Sequence, residues 1–288
     1  MTPFDWKAKT YVMGVINITT DSFSGDGLLA QADFVDRAVS QARQFVADGA
    51  HILDVGAEST RPGAAPVSSS AEMDRILPVI TALAAENLGV PISIDTYKAS
   101  IAAAALQAGA SWINDVWGLR ADPRMAGVAA RTRAPLVLMH NRSQPANAEL
   151  QQNLGGRYVG MHYDNLVEDV KTELLASVAL ARQAGVSDDC IILDPGIGFG
   201  KTVDQNLELI NRLDEIAALG FPILLGVSRK SFIGYTLNLP ADQRVEGTAA
   251  AVTVGILRGA NIVRVHDVKM ISRVAAMTDA ILRGRINP

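Results

Sequence analysis

The sequence contains a single cysteine, Cys190, so an intramolecular disulfide is excluded. It also lacks any run of about 18 apolar residues, the length that a helix needs to cross a bilayer. Residues 1–9 do not show the basic-then-apolar order of a secretory signal. From these absences we expect a cytoplasmic protein without a membrane partner. Cys190 precedes an apolar run and is interpreted as a small buried hydrophobe, since no neighbouring base is evident to activate its thiolate.

Charged residues are sparse as well, at 19% of the chain, and the formal net charge is only −4. The chain therefore offers no broad basic surface for nucleic acid, and we expect small molecules as its partners. Hydrophobic residues make up 49%, which is enough for a large core and too much for a disordered chain. Although 288 residues exceed the usual domain size, barrels of about 250 residues fold as one unit, so we predict a single domain over residues 1–288.

Short β-branched runs alternate with longer, alanine-rich amphipathic stretches, which is typical of repeated βα units around a parallel sheet. We therefore predict an α/β fold, a (β/α)8 TIM barrel, in which every strand delivers its C-terminal end to the same face. The predicted strands span residues 11–18, 51–56, 91–95, 112–115, 135–139, 190–194, 222–226 and 262–265. The predicted helices span residues 32–48, 70–86, 98–108, 123–131, 161–184, 206–219, 244–258 and 268–283.

The connections that follow the predicted strands are longer and polar, and long loops in compact domains are often functional. Residues 144–160 have no apolar periodicity and include Gly155-Gly156, so we interpret them as flexible chain. The long connections are residues 19–31, 57–69, 141–160, 196–205 and 228–243.

Polar side chains suited to catalysis stand at the tips of the predicted strands. Because these tips meet on one face of a barrel, residues far apart in sequence should converge there. That convergence predicts an enzyme. The tip residues are Asn17, Asp54, Asp95, Asn114, His140, Asp194, Lys230, Arg264 and His266.

Residues 194–202 end in Gly200-Lys201-Thr202, which imitates a nucleotide phosphate loop. A phosphate loop needs a glycine five positions before that ending, where this chain has Pro195, and proline has no N–H to offer a phosphate. Asp194 is instead interpreted as a carboxylate at a strand tip, with Phe199 available to cover a flat ligand. The alternative is a plain glycine turn.

Asp95 and the Asn114-Asp115 pair end neighbouring predicted strands, which places an acid beside an amide. These groups match the paired N–H donors and the ring carbonyl of an amino-substituted heterocycle, and charge-assisted hydrogen bonds of this kind are directional. Asp194 would add a further acid to the pocket, and Lys230 is the cation that would balance the acids. The alternative role for Asp95 and Asn114 is helix capping.

Arg264 and His266 follow the last predicted strand and lie on the same side by strand alternation, which suits an anion. We expect this site on the side of the rim opposite to the acids, since phosphate commonly binds near the last two strands of such barrels. Asn17, at the tip of the adjacent first strand, would add an oxygen ligand to Mg²⁺, which takes few protein ligands. A cap or turn role is the alternative for Asn17. Asp54 is expected to orient a loop or to help hold the metal.

These segments together resemble the dihydropteroate synthase family of pterin-binding enzymes over essentially the whole chain. Several motifs found in order are far more specific than any single glycine motif. The motifs are Met13-Gly14-Val15-Ile16-Asn17, Asp21-Ser22-Phe23-Ser24, Glu58-Ser59-Thr60-Arg61-Pro62-Gly63, Ile94-Asp95-Thr96, Ile113-Asn114-Asp115, residues 194–201, Ser228-Arg229-Lys230-Ser231 and Arg264-Val265-His266-Asp267.

The resemblance implies that 6-hydroxymethyl-7,8-dihydropterin diphosphate binds with Mg²⁺ and reacts with 4-aminobenzoate. The products would be 7,8-dihydropteroate and pyrophosphate, in folate biosynthesis. The pterin would be bound by Asp95, Asn114, Asp194 and Lys230. The diphosphate and its metal would be bound by Asn17, Arg264 and His266.

The resemblance also implies roles in two loops and around the second substrate. Thr60 matches a substrate-contacting position, and Asp21 would help to close the first loop over the reacting centre. The aminobenzoate would be framed by Arg61, Phe199, Lys230 and Ser231. The residues expected to act in catalysis are Asp21, Asp95, Lys230 and Arg264.

The chain departs from the family pattern locally. Thr20 stands where the family usually has proline, and Ser24-Gly25-Asp26-Gly27 reorders the usual ending of that motif. Both departures fall in the first loop, so they bear on its stiffness and on inhibitor sensitivity more than on the reaction. His140 lies in a third variant segment and is expected either to touch the diphosphate or to cap a strand.

Four other functions are alternatives to dihydropteroate synthesis. A corrinoid-linked methyltransferase would share the pterin barrel, but no cobalamin-binding segment is evident and the Ser228–Ser231 motif favours the synthase. A Schiff-base aldolase would use Lys230 as a nucleophile. A sulfonamide-insensitive synthase and a non-catalytic pterin-binding paralogue are the remaining alternatives. Homodimerisation through the last helices is expected from the resemblance only.

Overall fold

The computed structural model describes residues 4–19, 27–28, 33–59, 67–151 and 153–284. The barrel strands in these residues are β1 (Tyr11–Asn17), β2 (Ile52–Gly56), β3 (Ile92–Asp95), β4 (Trp112–Asp115), β5 (Leu136–Met139), β8 (Ile191–Asp194), β9 (Leu224–Leu225) and β10 (Ile262–Val265). The helices are α1 (Phe34–Ala47), α2 (Ser69–Ala85), α3 (Ala99–Ala108), α4 (Met125–Thr132), α5 (Leu166–Gln183), α6 (Val203–Asn211), α7 (Leu213–Ala217), α8 (Ser231–Leu237), α9 (Val245–Leu257) and α10 (Val268–Arg283).

The eight strands pair in parallel in the order β8-β5-β4-β3-β2-β1-β10-β9. A parallel bridge between Leu193 and Ile223 joins the two ends of this order, so the sheet closes on itself. The predicted (β/α)8 TIM barrel is therefore confirmed. No helix in the described ranges combines the length and apolar character needed to cross a membrane.

The lower half of the barrel is filled by a separate cluster of buried apolar side chains. Phe4 and Trp6, ahead of β1, pack against this cluster, and their rings lie 5.2 Å and 6.5 Å from the ring of Trp112. Alternate residues of a strand share a face, so two residues further along the same inward face carries Asp54 in β2, Asn114 in β4, Asp194 in β8 and Arg264 in β10. The cluster consists of Tyr11, Met13, Ile52, Trp112, Val137, Ile192, Leu224 and Ile262.

A second cluster of buried apolar residues packs the outer face of the strands against the helices. Strands buried on both faces explain why the runs in β2 and β5 read as almost continuously apolar. Glycines end several helices in the left-handed conformation that lacks a Cβ penalty, as at Gly109 after α3, where φ is 119°.

The stretch 144–160 was wrongly interpreted as flexible chain, since it contains the antiparallel hairpin of β6 (Ala148–Gln151) and β7 (Gly155–Tyr158). Its strand β6 is mostly exposed and its strand β7 is mostly half-buried, and neither shows apolar alternation. Contacts from distant segments hold it instead. Arg244 Nη2 donates to Leu154 O at 3.0 Å, and the Tyr235 hydroxyl donates to Gly155 O at 3.2 Å.

Three further features differ from the prediction. The helix predicted over 206–219 is two helices, α6 and α7, separated at Arg212. The connection 228–243 contains α8, which is too short to show helical periodicity. Cys190 is half-buried rather than buried, and it ends a short 3-10 turn before β8.

Candidate functional site

Four strands bring two acids, an amide and an arginine together at the C-terminal rim. Arg264 of β10 donates from Nε to Asp54 Oδ2 and from Nη2 to Asp95 Oδ2, both at 2.6 Å. Asn114 Nδ2 donates to the same Asp54 oxygen at 3.1 Å. Asp54 is completely buried, so it fixes Arg264 and Asn114 from below instead of reaching a loop.

The sequence placed Arg264 on the side of the rim opposite to the acids, and this was wrong. β1 lies directly between β10 and β2, and Met13 is level with both Arg264 and Ile52. A guanidinium at the end of a long side chain spans this gap and reaches two carboxylates. The acids and the cation therefore belong to one cluster.

Asp194 and Lys230 form the adjacent part of the site. Asp194 is buried, and its Oδ1 accepts a hydrogen bond from Gly196 N at 2.7 Å. A Cβ built on Gly226 would lie 3.7 Å from Lys230 Nζ and 4.0 Å from Asp194 Oδ2, so the backbone at this glycine lies next to both groups. Lys230 donates to Ile197 O, and its Nζ lies 4.6 Å from the centroid of the Phe199 ring.

Burial dominates the titration of these groups. Burial lowers the pKa of Lys230 to about 8, although Asp194 opposes that shift; Arg264 lowers it further and Asp95 raises it. Since both Asp194 and Asp95 act on Lys230, the two parts of the site share one electrostatic environment. Burial also raises the pKa of Asp194, and the charge of Lys230 opposes that shift.

Asp95 and Arg264 show the same competition between burial and charge. Burial raises the pKa of Asp95 to about 7; Arg264 opposes this shift and Asp54 adds to it. Burial disfavours the charge of Arg264, but Asp54 and Asp95 outweigh burial and raise its pKa. The guanidinium is thus permanently charged, while Asp95 can change its protonation near neutral pH.

His266 lies beyond Arg264 at the end of β10. Its backbone N donates to Ser228 Oγ at 3.1 Å, and its ring Nδ1 lies 3.0 Å from the same oxygen. Arg229 Nε donates to Asp267 Oδ2 at 2.8 Å, which holds the segment before Lys230 against the end of β10. Ser231, the first residue of α8, follows Lys230 directly and is half-buried.

Asn17 ends β1 and is half-buried, level with Gly56 of β2. Within the described ranges, His, Cys, Asp and Glu form no group of three or more that could hold a metal ion. One amide oxygen still fits Mg²⁺, because this ion completes its octahedron with water and substrate phosphates. Asn17 can therefore contribute to a magnesium site only together with ligand oxygens.

Three predicted site residues, Asp21, Thr60 and Arg61, lie outside the described residues. The residues on either side of 60–66 are held by Lys98, whose role the sequence analysis missed. Lys98 Nζ lies 2.6 Å from carboxylate oxygens of both Glu58 and Glu72, and it donates to Val67 O at 2.6 Å. A lysine two residues after the Ile94-Asp95-Thr96 motif was the available signal.

The ending Gly200-Lys201-Thr202 is not a phosphate site in this fold. The hydroxyl of Thr202 accepts a hydrogen bond from Gln205 N at 3.3 Å, and Gln205 Oε1 accepts one from Thr202 N at 2.9 Å. This capping box begins α6. Lys201 is buried and points behind the rim, where it contacts His140.

Residues 13–266 match the family described as pterin binding enzyme. The chain is 50% identical over 277 residues to the Bacillus subtilis (strain 168) protein named dihydropteroate synthase, covering 96% of this chain and 90% of the relative. A Clostridium difficile dihydropteroate synthase, solved in the presence of pteroic acid, superposes with a TM-score of 0.86 at 45% identity, covering 97% and 99% of the two chains. A Yersinia pestis dihydropteroate synthase with a sulfonamide drug gives a TM-score of 0.88 at 38% identity, covering 97% and 96%.

Proposed function

The chain belongs to the family of pterin-binding enzymes, and we propose that its rim joins a dihydropterin diphosphate to 4-aminobenzoate. It is a transferase with dihydropteroate synthase activity, and its products are 7,8-dihydropteroate and pyrophosphate. The observation that carries this conclusion is the convergence of Asp95, Asp194, Lys230 and Arg264 at one end of the barrel, where Arg264 binds Asp95 and the charges of the other three residues act on Lys230. Such a site suits a polar bicyclic ring at one end and an anionic leaving group at the other.

Asp95, Asn114, Asp194 and Lys230 bind the pterin in this proposal. Asp194 Oδ1 is bound by Gly196 N, and in this proposal Oδ2 accepts hydrogen bonds from ring N–H groups. Lys230 offsets its charge and donates to a ring acceptor. Asn114 is fixed by Asp54, so its amide is oriented before the substrate arrives.

The reaction breaks the C–O bond between the pterin methylene and the diphosphate, and the bonding electron pair leaves with pyrophosphate. Positive charge then develops on the dihydropterin and negative charge on the leaving group. Acids beside the ring and cations beside the leaving group stabilise these charges, each at about 3 kcal/mol by analogy with single oxyanion donors. The neutral amine of 4-aminobenzoate attacks the methylene carbon and then loses a proton.

Arg264 and His266 hold the diphosphate end, where Asn17 would provide an oxygen ligand to Mg²⁺. When bound, Mg²⁺ supplies positive charge that draws electron density from the departing oxygens. Arg264 must turn part of its guanidinium from Asp95 toward the leaving group or bridge the two. Phe199 and Ser231, with Arg61, frame the aminobenzoate. Asp21 and Thr60 complete the site from the two loops.

The experiment that tests the function is pyrophosphate release with both substrates, run with and without Mg²⁺. We expect release that requires Mg²⁺ and yields 7,8-dihydropteroate in equal amount. A sulfonamide should inhibit it in competition with 4-aminobenzoate, and resistance to the drug at full activity would instead identify the sulfonamide-insensitive alternative. Pterin binding without any pyrophosphate release would identify the non-catalytic paralogue and refute the proposal.

The pH dependence of this reaction should be narrow. Below about pH 7 Asp95 gains a proton, and above about pH 8 Lys230 loses one. The form with both an ionised Asp95 and a charged Lys230 therefore exists mainly between these pH values. We expect kcat/KM for the pterin diphosphate, which reports the free enzyme, to peak there and to fall on both sides. The limits belong to the coupled cluster and not to single residues.

The variant Lys230→Arg tests whether loss of the Lys230 proton causes the fall in kcat/KM above about pH 8. Arginine stays charged throughout this range, so the fall above pH 8 should disappear even though the maximum is lower. Initial rates at saturating 4-aminobenzoate, measured in buffers of constant ionic strength, provide the profile. A wild-type profile that stays flat on both sides of the interval would contradict the assignment.

We propose further that residues 1–288 form one domain and that two copies pair through α9 and α10. Met270, Met277 and Ile281 of α10 are exposed by 45%, 62% and 70% at helical spacing, and Leu257 of α9 is exposed by 54%. An apolar stripe of this kind suits a partner surface. A cytoplasmic location remains a prediction from the sequence.

The pairing can be tested with Met277→Glu/Ile281→Glu. We expect this double variant to sediment as a monomer where the unaltered chain sediments as a dimer, because charge replaces apolar contact area. The matched control is Leu150→Glu, which alters a residue of β6 exposed by 68% and should leave the mass unchanged. A monomeric unaltered chain would reject the proposed interface.

A further inference from the structure

Lys201 is a buried lysine that the proposed reaction does not use. Its exposure is 1%, and its Nζ lies 2.9 Å from Gly196 O, 3.1 Å from Phe199 O and 2.9 Å from His140 Nδ1. An ammonium group has three N–H donors, and these are three acceptors. Lys201 in its charged form is therefore fully engaged inside the protein. Burial lowers the pKa of Lys201 well below its usual value and the charge of Asp194 opposes that shift; the three acceptors favour the ammonium form.

His140, at the end of β5, connects Lys201 to a carboxylate on α5. Its side chain is fully buried, and its Nε2 lies 3.2 Å from Glu173 Oε2, without the alignment of a full hydrogen bond. Arg142 Nε donates to the other Glu173 oxygen at 2.7 Å, and Arg120 Nη1 lies 3.6 Å from Glu173 Oε2. Glu173 is thereby held as an anion facing the imidazole.

Only one neutral form of His140 satisfies both neighbours. If Nδ1 accepts from Lys201, the ring proton is on Nε2 and faces Glu173. The other tautomer would turn an N–H toward an ammonium and a lone pair toward a carboxylate. Burial lowers the pKa of His140 to about 3, with Lys201 adding to the shift, which agrees with a neutral ring.

The two carbonyls that Lys201 binds flank the part of the loop that faces the site. Between them, Ile197 O accepts from Lys230, and the Phe199 ring lies 4.6 Å from Lys230 Nζ. Gly196 and Gly200 let the loop sit against β5 and the segment that follows it. A Cβ on Gly196 would lie 1.8 Å from His140 O, and one on Gly200 would lie 2.3 Å from Arg142 C.

We propose that Lys201, supported by His140 and Glu173, is a positioning residue for the aminobenzoate side of the site. By holding the carbonyls of Gly196 and Phe199 from behind the rim, it sets the direction of Ile197 O and the place of the Phe199 ring. Those two groups in turn place the ammonium of Lys230. The inference rests on the proposed function, because that function assigns Phe199 to the second substrate, next to the pterin ligand Lys230.

The first test compares Lys201→Met with the control Lys171→Met, which removes an α5 lysine paired at the surface with Glu168. We expect Lys201→Met to raise KM for 4-aminobenzoate about tenfold, because the Phe199 ring loses its position. The Kd of the pterin should change less than about threefold, since Lys230 is only one of its four ligands and Asp95 and Asn114 lie on other strands. The control should change neither value. Equal changes for both substrates, or no change in either, would overturn the proposal.

The second test needs neither a variant nor activity. Long-range ¹H–¹⁵N spectra of histidine-labelled, ligand-free protein report the tautomer of each imidazole. We expect His140 to be protonated on Nε2 alone across about pH 6 to 8, a range in which an ordinary histidine titrates. A proton on Nδ1, or a charged ring, would overturn the proposal even if Lys201→Met failed to fold. Absence of synthase activity in the unaltered chain would refute the function and leave this result standing.

Discussion

Replacing Asp194 by asparagine is expected to lower kcat/KM for the pterin diphosphate about 100-fold, equivalent to roughly 3 kcal/mol of transition-state stabilisation. Asparagine keeps an oxygen for Gly196 N, which binds Asp194 Oδ1 at 2.7 Å, so the loop that follows should stay in place. The loss comes from the other oxygen, which lies next to Gly226 and would become an N–H₂ donor. Lys230 also loses a charge that raises its pKa, so less of it is protonated at neutral pH.

Asp115 provides the matched control for this substitution. It is another buried carboxylate at the end of a barrel strand, but its oxygens accept hydrogen bonds from Trp117 N at 2.9 Å and Leu119 N at 2.8 Å. Asp115→Asn should lower the melting temperature and change kcat/KM by less than about threefold. Steady-state kinetics and thermal denaturation of both variants separate the two roles. Comparable kinetic losses in both would show that Asp194 has no special part in binding.

Replacing Arg264 by methionine is expected to lower the free energy of unfolding by about 3 to 5 kcal/mol, since breaking a buried ion pair strands its partner. Arg264 has two such partners, since it forms ion pairs with both Asp54 and Asp95 at 2.6 Å. Asp54 has no exposed surface and cannot recover hydration without local opening. Urea denaturation at neutral pH measures the effect. Unchanged stability would mean that the two acids do not depend on this guanidinium.

The double variant Asp54→Asn/Arg264→Met distinguishes the stabilising role of Arg264 from its part in the reaction. Removing the fully buried charge together with its counter-ion should restore part of the lost unfolding free energy, as paired deletions of buried charges often do. It should not restore the rate of pyrophosphate release, because the cation beside the leaving group is still missing. Recovery of both the unfolding free energy and the rate of pyrophosphate release would show that Arg264 has only a structural role.

Strand alternation and the parallel order of a barrel were sufficient to predict which backbone positions meet at the rim. Asp95, Asn114 and Asp194 needed only their place at a strand end. The reach of Arg264 across β1 was not predictable in this way, since it depends on a long side chain and on which acids lie within its length. Strand alternation therefore predicted that Arg264 lies at the rim but not that it binds Asp54 and Asp95.

Contacts between distant segments account for what the sequence could not show. His140 and Lys201 are 61 residues apart, and each was interpreted through its own neighbours in the chain. The hairpin of β6 and β7 lacks apolar alternation, and the hydrogen bonds that it receives from Tyr235 and Arg244 leave no periodic signal in the sequence. Lys98 likewise joins Glu58 to Glu72 through side chains alone.

The aromatic packing of Phe4 and Trp6 beneath Trp112 blocks passage through the bottom of the barrel. Reactants must therefore enter, and products leave, by one mouth. The buried acids lie at its depth, whereas Phe199 and Ser231 are half-exposed nearer the opening. We accordingly expect compulsory-order kinetics in which the pterin diphosphate binds first. An aminobenzoate bound early near Phe199 and Ser231 would block the path of the pterin to the buried acids.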